Sequence, residues 1–278
     1  ERDFVWSAFS APNLWKYLIA ESRKPGKIAA FLKPCDTYSF QQLLKEHRIH
    51  RERVHVVAVS CSGMCDMEKI KAQAKAPYSV REEGEELVVG TLYGEKRLSR
   101  RDVLLERCRT CKTKKTACYD ELLGEDGQDG DDSRFDGVRR LEAMTPEERF
   151  AFWRGELSRC IRCNACRNVC PACSCEKCVF DNPASGVENK AAANSFEENL
   201  FHIIRAFHVA GRCTDCGECS RVCPQHIPLH LLNRKLISDI NELYGPYQAG
   251  ADCESKSPMT DFRYEDAEPG AQWRGGVR

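Results

Sequence analysis

The chain has 278 residues, long enough for one large or two modest domains, and its 42 basic and 42 acidic side chains leave no net charge to attract nucleic acid or a membrane surface. Its apolar runs, such as VHVVAVS, are far shorter than the roughly 20 residues needed to span a bilayer. The 18 cysteines lie largely in C-x-x-C steps, and no charged-then-apolar leader opens the sequence as given. This usage favours metal ligation in a reducing, anaerobic cytoplasm over a secreted disulfide framework.

Strand and helix patterns alternate in the first part of the chain. KIAAFL (27–32) predicts a short buried strand, and TYSFQQLLKEH places Phe40, Leu43 and Leu44 on one helix face. VHVVAVS (54–60) predicts a second buried strand, MEKIKAQAK a helix, and ELVVGTLYGEKRL a hairpin that turns near Tyr93 and Gly94. This alternation predicts an α/β domain over residues 1–123.

A polar segment follows, and after it the pattern becomes mainly helical. GEDGQDGDDSRFDG (124–137) is acidic, rich in glycine and almost free of apolar residues, which predicts a solvated linker. Residues 138–278 contain two capped helix starts, T-P-x-E at 145–148 and S-x-x-E at 195–198. The expected apolar faces of the two helices are Phe150, Trp153 and Leu157 in the first, and Leu200, Ile203, Ile204 and Phe207 in the second.

Both helices lead into an internal repeat. RCIRCNACRNVCP (159–171) and RCTDCGECSRVCP (212–224) align without a gap, and each contains C-x-x-C-x-x-C-x-x-x-C-P. Bacterial ferredoxins with two 4Fe-4S cubanes use this spacing, in which three close thiolates bind one cluster and the fourth crosses to the other. The sequence therefore predicts a mainly α, bacterial-ferredoxin-like domain with two clusters. The predicted ligands are Cys160, Cys163, Cys166 and Cys223 for one cluster, and Cys213, Cys216, Cys219 and Cys170 for the second.

A pair of zinc ribbons is the alternative interpretation of the repeat. They also use C-x-x-C steps, but a zinc ion needs four ligands and gives no reason for paired three-plus-one spacing. Three further thiols, Cys173, Cys175 and Cys178, follow the first repeat and stay unassigned. They could hold another metal with an outside ligand, exchange with a neighbouring cluster, or pack as small buried hydrophobes.

The first domain contains a second group of cysteines. Cys108 and Cys111 form a C-x-x-C step, while Cys35 and Cys61 each follow a predicted strand. Because loops after neighbouring parallel strands emerge at one edge of a sheet, we expect Cys35 and Cys61 to be neighbours. These four thiols predict a third 4Fe-4S cluster, and the alternative is that some of them are buried free thiols.

The sequence resembles iron–sulfur subunits related to the β subunit of deazaflavin-dependent hydrogenases and dehydrogenases. The resemblance lies in TPEERFAFWRGELSRCIRCNACRNVCP, FHIIRAFHVAGRCTDCGECSRVCP and IPLHLLNRKLISDI, and in LKPCDTYSFQQLLKEH and VSCSGMCDMEKI of the first domain. It implies a further cubane on the same four N-terminal cysteines, with Cys65 as a reserve ligand, and it implies FAD as an additional cofactor. No G-x-G-x-x-G motif supports flavin binding from the residues themselves.

The resemblance also implies partner subunits of the formate dehydrogenase, hydrogenase or heterodisulfide-reductase type. The predicted function is that of an electron-transfer subunit that relays single electrons through 4Fe-4S clusters between partner active sites. The alternative is a flavin-containing subunit that itself reduces a nicotinamide or deazaflavin coenzyme or a small substrate. Side-chain catalysis is not predicted, since no activated nucleophile is visible. His202 and His208 are expected to be core or surface residues rather than ligands.

Overall fold

The computed structural model describes residues 5–181 and 195–260, with the backbone alone for 195–199. The strands are β1 (Ile28–Leu32), β2 (Val54–Val59), β3 (Pro77–Glu83), β4 (Glu86–Thr91), β5 (Gly94–Ser99) and β6 (Glu121–Leu123). The helices of the N-terminal part are α1 (Trp15–Glu21), α2 (Pro34–Lys45), α3 (Met67–Gln73) and α4 (Glu106–Arg109). The later helices are α5 (Asp136–Glu142), α6 (Pro146–Leu157), α7 (Ala165–Asn168), α8 (Ser195–His208), α9 (Glu218–Arg221) and α10 (Leu229–Tyr244). None of the helices in the described residues is long and apolar enough to cross a membrane.

The first sheet is parallel, with the strand order β1-β2-β6. β1 and β2 are almost continuously apolar because they pack into a core with Trp15, Phe40 and Leu43 from α1 and α2. The two strands lie in register, with Leu32 opposite Ala58, so their carboxyl ends meet at one edge of the sheet. The strands predicted from KIAAFL and VHVVAVS are therefore confirmed. The residues that follow β1 and β2 leave the sheet at the same edge.

The second sheet is an antiparallel meander with the order β3-β4-β5. The predicted hairpin is confirmed, since β4 and β5 pair with Thr91 opposite Gly94. Leu87 and Leu98 of this sheet pack against Ile70 of α3. The meander and α3 thus form a second core, separate from that of the parallel sheet.

The cap predicted for α6 is confirmed. The Glu148 backbone N–H donates to Thr145 Oγ1 at 3.2 Å, and the Thr145 N–H donates to a Glu148 carboxylate oxygen at 2.9 Å. Of the predicted apolar face, Leu157 is buried but Phe150 is 62% exposed, so only the carboxyl-terminal half of the helix faces the core. The second predicted cap, at 195–198, lies outside the described side chains.

The apolar face predicted for α8 is buried only in part, since Ile204 packs against the core. Ile203 and Phe207 are 44% and 63% exposed, whereas Phe201, His202 and Arg205 are buried. Burying the most apolar side chains would turn Ile203 and Phe207 toward the core. The polar side chains that are buried instead have specific partners among the cysteines. Tertiary contacts therefore override the apolar pattern of this helix.

Most residues of 124–137 are exposed, as expected for a solvated linker, but the segment also makes specific contacts. Residues 132–135 form a 3-10 turn in which Arg134 and Phe135 are buried. An Asp126 carboxylate oxygen accepts hydrogen bonds from the backbone N–H and the hydroxyl of Thr116, at 2.8 and 2.9 Å. Gly130 packs so closely on the carbonyl of Cys111 that a side chain there would clash. The segment therefore supports the C-x-x-C loop, while the domain boundaries themselves stay predictions.

Candidate iron–sulfur sites

The cysteines of the repeat line two cavities, and the structure groups them across the two halves. Cys160, Cys163 and Cys166 line one cavity together with Cys223 of the second half. The other cavity is lined by the matching set, Cys213, Cys216, Cys219 and Cys170. This is the crossed grouping that the spacing predicts, and ligation by these thiols stays a prediction. We call the two cavities the outer and the inner site.

The backbone has the same conformation in both halves. Arg162 and Asn164 have left-handed φ angles of 55° and 60°, and the matching residues Asp215 and Gly217 have 59° and 65°. Such turns direct backbone N–H groups inward: the N–H of Arg162 donates to Cys160 Sγ at 3.4 Å, and that of Asp215 donates to Cys213. Hydrogen bonds to thiolate sulfur stabilise metal-bound cysteine and tune the metal.

A buried histidine contacts the outer site. His202 Nε2 lies 3.3 Å from Cys160 Sγ, although the two residues are 42 positions apart in the chain. Burial, together with the cations of Arg205 and Arg162, lowers the pKa of His202 to about 3, so its ring is neutral at physiological pH. His202 is thus a core residue, as expected, but one whose nitrogen lies against a predicted ligand. No local sequence pattern indicates that contact.

The inner site has an equivalent amide donor. Asn233 on α10 is buried, and its Nδ2 donates to Cys219 Sγ at 3.7 Å. Each of the two sites is therefore contacted by a side-chain nitrogen from a helix that packs over the repeat. The two residues lie at unrelated places in the sequence, so the repeat alone does not reveal them.

A buried cation lies between the outer and inner sites. Arg205 is 3% exposed and donates to the Cys166 carbonyl at 3.0 Å. Burial lowers the pKa of Arg205, but the negative charges of Cys170, Cys219 and Cys166 together raise it above its ordinary value. The guanidinium therefore stays charged and offsets part of the negative charge that thiolates bring to both cavities.

The N-terminal cysteines line a third cavity, of about 520 Å³, which we call the N-terminal site. Cys35 follows β1 in the first turn of α2, and Cys61 follows β2, so the parallel sheet brings these two to one edge. Cys108 and Cys111 enter from α4 and the loop after it. The sequence expectation that Cys35 and Cys61 lie near each other agrees with this shared cavity.

Hydrogen-bond donors and buried cations surround the N-terminal site. The N–H groups of Gly63 and Met64 donate to the sulfurs of Cys61 and Cys108, each at 3.4 Å. Lys33, which is 1% exposed and paired with Asp36 at 2.8 Å, also lines the cavity. These groups suit a site that holds anionic thiolates, as bound iron requires.

The other N-terminal cysteines lie elsewhere. Cys65, the reserve ligand, is 4% exposed and packs with Ile70 and Leu87 in the meander core. Cys118 packs against the core of the parallel sheet. Neither residue lines the N-terminal site, so the geometry favours Cys35 over Cys65 as the neighbour of Cys61.

The N-terminal and inner sites share a wall. Asp215 and Cys216 line both cavities. Arg107, next to Cys108, donates to the Cys216 carbonyl at 3.0 Å and pairs with Glu218 at 2.6 Å, in an ion pair whose side chains are 6% and 0% exposed. The two sites are therefore direct neighbours, bridged by a buried salt bridge.

A second bridge is centred on Asp215. Its carboxylate lies 2.8 Å from Arg234 Nε, and the Arg234 guanidinium donates to Thr110 Oγ1 at 2.8 Å. Thr110 lies between Cys108 and Cys111, so this chain of contacts reaches the C-x-x-C loop of the N-terminal site. The relative position of the two sites is thus held by charged groups on both sides.

The three unassigned thiols have different surroundings. Cys173 forms a side-chain hydrogen bond with Cys170, a predicted ligand of the inner site. Cys178 packs against the core that contains Leu157, and Cys175 is exposed. Among the residues that the structure describes, no group of three or more His, Cys, Asp or Glu is drawn together around a single ion. A cubane of four irons and four sulfides is larger than an ion, and its thiolates stand further apart.

Comparison with known proteins gives two kinds of similarity. The family model for a 4Fe-4S dicluster domain matches residues 156–227. The chain is 23% identical to the F420-dependent formate dehydrogenase subunit beta of Methanocaldococcus jannaschii, over 88% of this chain and 79% of that protein. It is 24% identical to the F420-dependent formate dehydrogenase 1 subunit beta of Methanococcus maripaludis, over 90% of this chain and 79% of that protein. The predicted resemblance is confirmed: the chain is an iron–sulfur protein with a 4Fe-4S dicluster domain, related along most of its length to these beta subunits.

Proposed function

We propose that the chain is the electron-transfer iron–sulfur subunit of an oxidoreductase of the formate dehydrogenase type, and that it relays single electrons between partner active sites. Three 4Fe-4S clusters would be held at the outer, inner and N-terminal sites. The observation that carries the proposal is the grouping of twelve cysteines around three neighbouring cavities. The chain's similarity to formate dehydrogenase beta subunits supports the type of complex.

The chain's own residues would set the distances between the clusters, exclude water from them and place charged groups around them. A bound 4Fe-4S cluster accepts or releases one electron at a potential set by its charge, its hydrogen bonds and its exposure to solvent. Around the sites, the N–H groups of Arg162 and Gly63 point at sulfur, the His202 ring nitrogen lies against Cys160, and the buried Arg205 guanidinium provides positive charge. These features favour anionic centres that accept electrons without reorganising the protein.

The three sites would form a row with the inner site in the middle. The N-terminal and inner sites share Asp215 and Cys216, and Arg205 lies between cysteines of the inner and outer sites. An electron that enters at either end would therefore pass through the inner site. On this proposal, residues 1–123 form the α/β domain at one end of the row, and residues 138–278 form the domain that holds the other two clusters.

The cellular setting follows from the thiols. None of the 18 cysteines forms a disulfide in the structure. Cysteines in such number are kept reduced in a compartment such as an anaerobic cytoplasm, where clusters can be assembled. We therefore infer a cytoplasmic complex with other oxidoreductase subunits as partners.

Metal and sulfide analysis tests the proposal. Anaerobically purified protein should contain about twelve iron atoms and about twelve acid-labile sulfides per chain, with a broad brown absorbance that is lost in air. Cys108→Ser should lose about four of each, because one cubane is removed. The matched variant Cys118→Ser should retain the full amount. Zinc without sulfide would refute the proposal.

The names of the relatives favour a second candidate function. Both are F420-dependent formate dehydrogenase subunits, so a subunit with bound FAD that itself reduces a deazaflavin coenzyme is the alternative. The two candidates differ in their extracted cofactor. Acid extraction of the purified protein should release no flavin on the relay proposal, and one flavin per chain on the alternative.

A further inference from the structure

Arg205 of α8 is a buried cation without an acidic partner. It is 3% exposed, and no carboxylate forms an ion pair with it in the part of the chain that the structure describes. The other buried cations of this part each have one: Lys33 pairs with Asp36, Arg100 with Glu82, Arg107 with Glu218, and Arg134 and Arg234 with Asp215. Because an uncompensated charge in a protein interior is strongly destabilising, the negative charge that balances Arg205 must have another source.

The cysteines of the outer and inner sites are that source. Arg205 donates to the Cys166 carbonyl at 3.0 Å. Its positive charge acts on the Cys166 thiol of the outer site and on the Cys170 and Cys219 thiols of the inner site. Cys166 and Cys219 are matching residues of the two halves of the repeat, and they pack in one core cluster. One guanidinium therefore serves both sites.

The guanidinium also has an unused hydrogen-bond donor. Arg205 Nε is buried and has no hydrogen-bond partner among the residues that the structure describes. Buried donors in native proteins are almost always hydrogen-bonded, and the anionic sulfur of a ligated thiolate would satisfy this one. The hydrogen-bonding capacity of Arg205 thus agrees with its charge, since both suit anionic sulfur on the two sides of α8.

From these observations we propose that Arg205 is the shared counter-ion of the outer and inner clusters and the residue that sets both of their reduction potentials. The proposal rests on the relay function above. A cluster that accepts one electron gains one negative charge, and a buried cation beside it makes that gain more favourable. Because Arg205 lies beside both sites, its charge raises the two potentials together, so that neither site becomes a trap for the electron.

The neighbouring arginines are less suited to this role. Arg107 lies beside the inner site, but the carboxylate of Glu218 offsets its charge. Arg162 lies over the Phe201 ring, 4.2 Å from its centroid, and is only partly buried, so solvent screens some of its charge. Arg205 differs from both because its charge is fully buried and is shared between cysteines of two sites.

Two substitutions separate the charge of Arg205 from its hydrogen bond. Arg205→Gln removes the charge but keeps an amide N–H that can donate to the Cys166 carbonyl. Arg205→Lys keeps the charge but loses the planar fork of donors. The matched control is Arg97→Gln in β5, where the side chain is 59% exposed and its charge is screened by solvent.

The measurement is an anaerobic redox titration of the complete, cluster-loaded chain, followed by electron paramagnetic resonance. Iron content is determined for every protein. The signals are assigned with the ligand variants Cys163→Ser for the outer site, Cys216→Ser for the inner site and Cys108→Ser for the N-terminal site. A potential is thereby obtained for each cluster separately.

We expect Arg205→Gln to make reduction of both the outer and the inner cluster about tenfold less favourable, which lowers each potential by about 59 mV. Arg205→Lys and Arg97→Gln should stay close to the unmodified chain. The N-terminal signal should change little in any variant, because its cysteines are not neighbours of Arg205.

An unchanged potential at either repeat site in Arg205→Gln, or equal shifts in Arg205→Gln and Arg205→Lys, would overturn the proposal. Loss of about eight irons in Arg205→Gln, with full retention in Arg205→Lys, would support it, because both clusters would then require the charge. Loss of iron in both variants would overturn it, since the fork rather than the charge would be essential. An unmodified chain without iron would instead refute the relay function, so the two failures are distinguishable.

Discussion

Replacement of Gly217 by alanine probes the contact that joins the inner and N-terminal sites. Gly217 has φ 65°, and Asn164, the matching residue of the first half, has φ 60°, so alanine is strained in the left-handed region at either position. That strain costs about 1–2 kcal/mol for an L-residue without a local hydrogen bond. The two positions differ in their neighbours, because only at Gly217 would the new Cβ lie 2.5 Å from the Cβ of Arg107.

The Cβ of Arg107 cannot rotate away, so α4 must move to relieve the clash. Overpacking of this kind costs about 1–3 kcal/mol. The total for Gly217→Ala is therefore about 2–5 kcal/mol. For Asn164→Ala it is about 1 kcal/mol, because this variant adds no clash and asparagine already bears part of the backbone strain. Movement of α4 also weakens the Arg107 bonds to the Cys216 carbonyl and to Glu218.

Thermal unfolding of the loaded protein under anaerobic conditions measures the difference. With roughly 2–4 °C of melting temperature for each kcal/mol, Gly217→Ala should lower the apparent midpoint by roughly 4–20 °C and Asn164→Ala by about 2–4 °C. Unfolding is followed by visible circular dichroism. The midpoints of the variants are compared at a single scan rate, because cluster loss makes unfolding irreversible and the midpoint then depends on that rate. Equal decreases in the two variants would refute the reasoning, because the Arg107 contact would then contribute nothing.

Three further predictions concern single groups of the sites. Glu218→Gln leaves the buried Arg107 without its carboxylate and should destabilise the protein by about 3–5 kcal/mol in the same assay. Most of that stability should be recovered in the double variant Arg107→Met/Glu218→Met. A decrease in melting temperature no larger than that of the surface variant Glu95→Gln would contradict this prediction. Cys170→Ser should change the same electron paramagnetic resonance signal as Cys216→Ser, and pairing with Cys163→Ser instead would indicate local ligation. His202→Leu should lower the reduction potential of the outer site alone by removing an N–H donor to sulfur, whereas His202→Gln should stay closer to the unmodified value; an unchanged potential in His202→Leu would rule out that bond.

Local chemistry in the sequence accounts for much of the candidate site. The C-x-x-C-x-x-C-x-x-x-C-P spacing predicts which cysteines share a cavity because a two-residue gap wraps the backbone around a small centre, whatever the rest of the fold does. The cap at Thr145 is equally local, since both of its hydrogen bonds join residues three positions apart. The pairing of Cys35 with Cys61 needs only the rule that parallel strands end at one edge.

Long-range contacts decided what the sequence patterns do not predict. Apolar periodicity assigns Ile203 and Phe207 to the buried face of α8, but His202 and Arg205 are inside because their partners are cysteines from the other half of the repeat. The acidic segment 124–137 is polar in composition, yet Arg134 is buried because Asp215 receives it.

The repeat by itself predicts two equivalent metal sites, and nothing in its spacing distinguishes them. Only the tertiary structure made one inner and the other outer. Glu218 pairs with Arg107, which lies 111 positions earlier in the chain. No local sequence pattern indicates such a pair, because its energy depends on two distant segments being buried together. Cluster chemistry can therefore be predicted from neighbouring residues, whereas the order of the sites depends on the packing of the whole chain.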